Sequence, residues 1–252
     1  MHSIKRMSAA FLAALLLTGC TGDDQPADVT DTTESAPGAT TTTTTPDVDE
    51  FALTTTDGLT PNQVEVATTE LAGQSGVAVK LAAGIAGGDQ PTVAVVDGIA
   101  LANGTIEVDL AGDTLDPANG VARGFTGIMF RLAPDLSSGE GIYLRPLNAV
   151  DPDPERHERV LQYFSYPDFP FSVSRAQSPG VYEKAASVAP SAWTHLRIEL
   201  DGTTAEVFVG DATEPDLTVS DLKLGADASG GVGLWVDQGS VATFANLTVT
   251  QG

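Results

Sequence analysis

The sequence predicts an all-β domain of antiparallel strands, a sandwich or a barrel, on three observations. Short runs rich in Val and Ile recur from Ser75 to Val249, each bounded by Gly, Asp or Asn. Asp-Gly and Asn-Gly pairs lie among them, at 57–58, 97–98, 103–104, 119–120 and 201–202; such pairs make the tight turns that a meander requires. No segment of this region keeps the 3.6-residue apolar period of a helix, and many short strands with frequent turns belong to sandwiches and barrels.

In chain order, strands are expected at Ser75 to Leu81, Thr92 to Val96, Thr105 to Leu110, Phe125 to Leu132, Gly141 to Arg145 and Val160 to Tyr166. His195 to Leu200, Thr204 to Val209, Gly231 to Val236 and Ala242 to Val249 complete the set. The clearest hairpin runs from Ile198 to Val207, where apolar and polar residues alternate on both arms of Asp201-Gly202. Between Pro146 and Pro190 the rhythm breaks. This stretch holds seven of the chain's 15 prolines and three of its four tyrosines. Prolines at that density are poor ladder members and mark loops at a sheet rim, and a long ordered insertion rich in aromatic residues is usually functional.

Ahead of this domain the chain has two other segments. Met1 to Gly19 begins with Lys5 and Arg6 and continues with an apolar run from Ala9 to Leu17, too short for the roughly 20 residues of a membrane span. It reads as an export signal. Leu17-Thr18-Gly19-Cys20 has the pattern of a bacterial lipobox, and Cys20 is the chain's only cysteine. Lipid on Cys20 would anchor the protein to a bacterial membrane with its domain outside the cytoplasm, in the cell envelope. Residues 20–50 are rich in Thr, Asp, Pro and Ala, with six threonines in a row from Thr40 to Thr45. They have too little apolar surface to fold and are expected to form a disordered tether, with a random-coil reach of roughly 30 Å. Residues 51–252 form the β domain.

The net charge is −22 at pH 7. A polyanion of this size does not bind nucleic acid or anionic lipid through its general field. The basic residues are correspondingly informative: six of the chain's 12 are the arginines at 123, 131, 145, 156, 159 and 175. Tyr143 and Arg145 lie two apart and so face one side of a strand, and a hairpin is expected to bring Arg131 close to Arg145. Guanidinium forks suit sugar hydroxyls and carboxylates, and equally suit internal ion pairs. Asn148, Gln162, Tyr163, Tyr166 and Tyr182 add the mixture of amides and ring faces that saccharides prefer, whereas Phe164, Trp193 and Trp235 are expected in the core.

The segments Gly127-Ile-Met-Phe-Arg131, Gly141-Ile-Tyr-Leu-Arg-Pro-Leu-Asn148, Glu155-Arg-His-Glu-Arg159, Pro179-Gly-Val-Tyr-Glu183 and Gly231-Val-Gly-Leu-Trp235 together resemble the concanavalin A-like lectin/glucanase superfamily. More narrowly they resemble its bacterial branch related to the domain named for 3-keto-disaccharide hydrolases. The resemblance implies a two-sheet antiparallel jelly roll and, by association, carbohydrate; it transfers activity poorly, because one fold hosts many functions.

Catalytic patterns are mostly missing. Retaining glycosidases need two carboxylates about 5–5.5 Å apart, and those of this superfamily carry them in a Glu-x-Asp-x-Glu or Glu-x-Asp-x-x-Glu strand. Here Glu107-Val108-Asp109 is followed by Ala111 and Gly112 where a third acid is needed. His157 and His195 are too few for a multi-histidine metal site, so no cofactor is expected; Asp151, Asp153 and Glu155 offer oxygens of the kind calcium takes, but read more simply as a solvated loop. Three functions follow: a tethered carbohydrate-binding module, a glycoside-processing hydrolase with Glu183 or Asp168 as acid or base, or a structural domain of the cell envelope.

Overall fold

The structure, a computed structural model, describes residues 47–252; the lipobox, Cys20 and the Thr run lie outside them. In chain order the strands are β1 Val48–Phe51, β2 Leu59–Asn62, β3 Val64–Leu71, β4 Gln74–Leu81, β5 Val93–Val96 and β6 Gly104–Thr114, then β7 Thr126–Leu132, β8 Gly139–Leu144 and β9 Leu161–Tyr166. They continue with β10 Glu183–Lys184, β11 Thr194–Asp201, β12 Thr204–Val209, β13 Leu217–Val219, β14 Gly231–Val236 and β15 Ser240–Gln251. The first sheet has the order β13-β12-β11-β6-β15-β4-β3, with β1 also on β15; the second has the order β10-β9-β8-β7-β14-β5-β2. All pairings are antiparallel, and the fold is the two-sheet β-sandwich that the sequence predicts.

Alternation builds the inter-sheet core. Ile106, Val108 and Leu110 of β6 and Leu196 and Ile198 of β11 face Ile128, Phe130, Ile142, Leu144 and Leu234 of the second sheet, all of them fully buried. Each such side chain contributes about 1.5–3 kcal/mol when taken out of water. The expected hairpin is present, with Ile198 opposite Val207 and Asp201 opposite Thr204.

The second sheet is apolar on its other face as well. Val93, Phe125, Met129, Leu132, Tyr143, Phe164, Tyr166 and Trp235 form a separate cluster there. A sheet covered on both faces loses its polar alternation, and every residue of β7, β8 and β9 is accordingly buried. This outer face is where the candidate site lies.

The stretch from 146 to 190 differs from the loop that the sequence suggests. It contains three short helices, α1 Pro146–Ala149, α2 Pro154–His157 and α3 Phe171–Gln177, and the two-residue strand β10. Pro146 and Pro154 each occupy the start of a helix, where the missing N–H costs nothing and the fixed φ suits the first turn. Strand β1 pairs Val48 with Thr250 and Phe51 with Leu247, so the sheet begins three residues before the sequence-based boundary at Phe51.

Candidate functional site

On the outer face of the second sheet, Tyr143 of β8 pairs with Gln162 of β9, and Gln162 pairs with Glu183 of β10. Cross-strand neighbours share a face, so these three side chains form one row. Arg145 follows Tyr143 two residues on, just past the end of β8. It is 4% exposed and donates to the Tyr143 hydroxyl, to Gln162 Oε1 at 3.1 Å and to the Arg159 carbonyl at 2.8 Å. Its guanidinium also lies 4.7 Å from the Tyr143 ring centroid. Gln162 is held in turn by the Tyr182 carbonyl at 3.2 Å and by Ser174 Oγ of α3 at 3.3 Å.

Glu183 is a shared anion. Arg175 of α3 donates to it through Nε at 3.0 Å and Nη2 at 2.6 Å, Arg159 Nε approaches to 3.6 Å and Arg145 Nη1 to 3.8 Å. Three guanidinium groups therefore meet one carboxylate. Hydrogen bonding to Glu183 raises the Arg175 pKa; burial, chiefly, lowers that of Arg145. Burial also pushes the Tyr143 hydroxyl up to about 12, so it stays protonated and able to donate.

These groups wall a cleft of about 400 Å³. Its floor is aromatic, made by Phe125, Tyr143, Phe164, Tyr166 and Trp235, with Tyr143 and Trp235 centroids 4.8 Å apart and Phe164 and Trp235 5.2 Å apart. One side carries Arg123, Arg145, Arg156, Arg159 and Arg175; the lining also includes Asp89, Asp237 and Gln238. Asp237 Oδ1 accepts from the backbone N–H groups of Gly88 and Gln238, each at 2.7 Å, while burial raises its pKa. Two polar atoms of lining residues, though buried, have no hydrogen-bond partner among the described residues: Asn148 Oδ1 and Trp235 Nε1. Asn148 is otherwise anchored, its Nδ2 donating to the Arg159 carbonyl at 2.8 Å. Buried polar groups are rarely left unpaired, and these two belong to residues lining one cavity.

Of the residues singled out in the sequence, Tyr143, Arg145, Asn148 and Tyr166 line this cleft, as do Arg123, Arg156, Arg159, Arg175 and Asp153. The others do not, for stated reasons. Arg131 was expected beside Arg145, but Thr126 pairs with Leu144 and Phe130 with Glu140. That register puts the two arginines at opposite ends of the hairpin, about 20 Å apart along the strand. Arg131 is 1% exposed and donates to the carbonyls of Ala102, Gly202 and Gly225 as well as to Glu140; it is scaffold. Tyr163 points the opposite way from Gln162, into the inter-sheet core, with its hydroxyl on Glu140 at 2.6 Å. Tyr182 enters the same core and donates to Asp221 at 2.7 Å. Gln162 is fully buried and positions Arg145 from below. Asp168 is exposed in the turn after β9. Asp151 and Asp153 face Arg156 at 3.3 and 3.8 Å.

Phe164 and Trp235 are buried in core packing as expected, in the outer cluster, and there they also line the cleft. Phe125, Asp89, Gln238 and Asp237, just past the end of β14, were not foreseen as lining residues. Glu107 and Asp109 lie on the first sheet, on its outer face, against His195 at 3.5 and 3.0 Å.

No protein-family model and no curated protein matches the chain. Solved structures do. The carbohydrate binding module CBM66 from Bacillus subtilis is similar at 17% identity over 76% of this chain and 95% of its own, with a TM-score of 0.52. A Bacillus subtilis protein of unknown function with a galectin-like fold is similar at 11% identity over 81% of this chain and 94% of its own, also with a TM-score of 0.52. Likeness at these identities establishes the fold alone, a two-sheet β-sandwich.

Proposed function

We propose that this chain is a carbohydrate-binding module held to a bacterial membrane through lipid on Cys20, with its domain in the cell envelope. The observation that carries the reading is the cleft itself: a floor of largely buried aromatic rings, beside a wall of guanidinium groups and an Asn148 oxygen with no partner among the described residues. Concave sites that set convergent polar groups beside aromatic side chains are where small ligands bind. The fold shared with CBM66 is compatible with it. A glycan array probed with the full chain tests the proposal. Retention of at least one glycan without product release supports it, and retention of none overturns it.

The hydrolase reading, by resemblance to the 3-keto-disaccharide hydrolase branch, has one observation in its favour. Asp237 is a buried carboxylate of raised pKa lining the same cleft, a pattern that suits a general acid. Glu183 is held by two hydrogen bonds from Arg175 and Asp168 is exposed in the turn after β9; neither is among the residues lining the cleft. Turnover of a 3-keto-glycoside that disappears in Asp237→Asn would select this reading.

A further inference from the structure

We propose that the cleft recognises an acidic saccharide, a uronic acid unit whose carboxylate is held by the arginine wall. The inference rests on the carbohydrate reading above and specifies its ligand.

The first argument is charge. The chain carries −22 and only 12 basic residues, yet five of them, Arg123, Arg145, Arg156, Arg159 and Arg175, line this one cavity. Internal pairing does not consume all of them. Glu183 is a single carboxylate facing three of the guanidinium groups. Arg156 faces Asp151 at 3.3 Å and Asp153 at 3.8 Å; beyond Glu183, Arg159 faces only Glu155, at 3.8 Å and 78% exposed, and solvated pairs of that kind hold little energy. Arg123 forms no ion pair among the described residues; its side chain donates only to the neighbouring Ala122 carbonyl, at 2.8 Å. Guanidinium groups crowded together repel one another, as Arg156 and Arg145 do to Arg123. On this side of the cleft Arg123, Arg145, Arg159 and Arg175 outnumber the carboxylates within ion-pair reach, Glu183 and the exposed Glu155, and a guanidinium left uncommitted beside a cavity is a site for an anion.

The second argument is shape. Guanidinium forks match a planar carboxylate with two parallel hydrogen bonds. The aromatic floor beside them suits a ring and not a bare inorganic anion. The third argument is the lining acids, Asp89 and Asp237. Asp237 has its Oδ1 fixed by two backbone N–H groups, which leaves Oδ2 to accept from hydroxyls. These carboxylates would repel a ligand charged throughout. The cleft therefore fits a sugar with one acidic group and hydroxyls elsewhere, and disfavours a polysulfated chain.

The test is calorimetric titration of the full chain with four probes: an oligogalacturonide, the same oligosaccharide after reduction of its carboxyl groups, a sulfated oligosaccharide of equal length, and inorganic sulfate. The expected result is that the oligogalacturonide binds about tenfold or more tightly than its reduced form. That gap should narrow as salt is raised, and Arg123→Gln, which breaks no ion pair among the described residues, should lower the preference. Equal binding of the acid and reduced forms overturns this inference and leaves the carbohydrate reading standing. Stronger binding of the sulfated chain assigns the wall to sulfate esters and overturns it too. Binding of sulfate with no saccharide bound overturns both readings. A preference that survives both Arg123→Gln and Arg156→Gln shows that the charge recognition lies elsewhere.

Discussion

Arg131 and Glu140 form an ion pair with neither side chain exposed, 3.4 Å apart near the turn end of the β7–β8 hairpin. Glu140 also accepts from the Tyr163 hydroxyl at 2.6 Å and the Leu224 N–H at 3.2 Å, so the pair ties both sheets and a loop together. Removing one partner leaves the other charge buried. Arg131→Ala is therefore expected to destabilise the fold by about 3–5 kcal/mol. Urea denaturation measures it, and a midpoint equal to wild type would refute the scaffold role.

Arg145→Ala and Arg123→Ala should separate architecture from recognition. Loss of Arg145 strands the buried Tyr143 hydroxyl and Gln162 oxygen, at about 1–3 kcal/mol for each group left unpaired. Arg123 has no such dependants, and its removal should change stability by no more than about 0.5 kcal/mol while weakening ligand binding. Thermal melts beside titrations of both variants check the contrast. Equal stability losses would show that Arg123 is structural as well.

Asp237 supplies a pH signature. Burial raises its pKa in the folded state, so the folded protein holds this proton more tightly than the unfolded chain. Its effect is a loss of stability as pH rises from the ordinary Asp value near 3.9 through the raised folded value. Asp237→Asn keeps an oxygen for the Gly88 and Gln238 N–H groups and removes the charge. It should melt about 2–4 °C higher at neutral pH, with the difference vanishing below that window. Melting curves across the acid range check both halves of the expectation.

Cys20→Ser should move the protein from the membrane to the soluble fraction, with melting of the domain unchanged, because Cys20 precedes every strand. Fractionation and immunoblotting decide it; wild-type recovery in the membrane would overturn the lipid anchor.

Strands with Val and Ile flanked by turn pairs were legible in the sequence, and so was the face shared by Tyr143 and Arg145, because a spacing of two fixes it. The grouping of Gln162 with Tyr163 failed on the same rule: adjacent residues on a strand face opposite ways. Strand β3 was missed because it is an edge strand with polar residues open to water, Glu65, Thr68 and Glu70 among them. Strand β10 has two residues, too few to carry a period. Trp235 and Phe164 were assigned to the core, where they pack, but not to the cleft, because burial on both faces removes the alternation that tells one face from the other. The separation of Arg131 from Arg145 depends on register, which spacing within one strand does not reveal.

Gly141 lies opposite Phe164, and a methyl group at its Cβ position would fall 2.5 Å from the Phe164 ring. The ring rests directly on bare backbone. Because Phe164 is part of the cleft floor, the depth of the cavity is set from beneath by an atom that is absent. Gly141→Ala would lift the floor and shorten the space above it without altering any side chain that meets the ligand. The shape of the cleft thus depends on a position outside its lining, and homologues with matching cleft walls but a different residue at 141 need not have the same cavity.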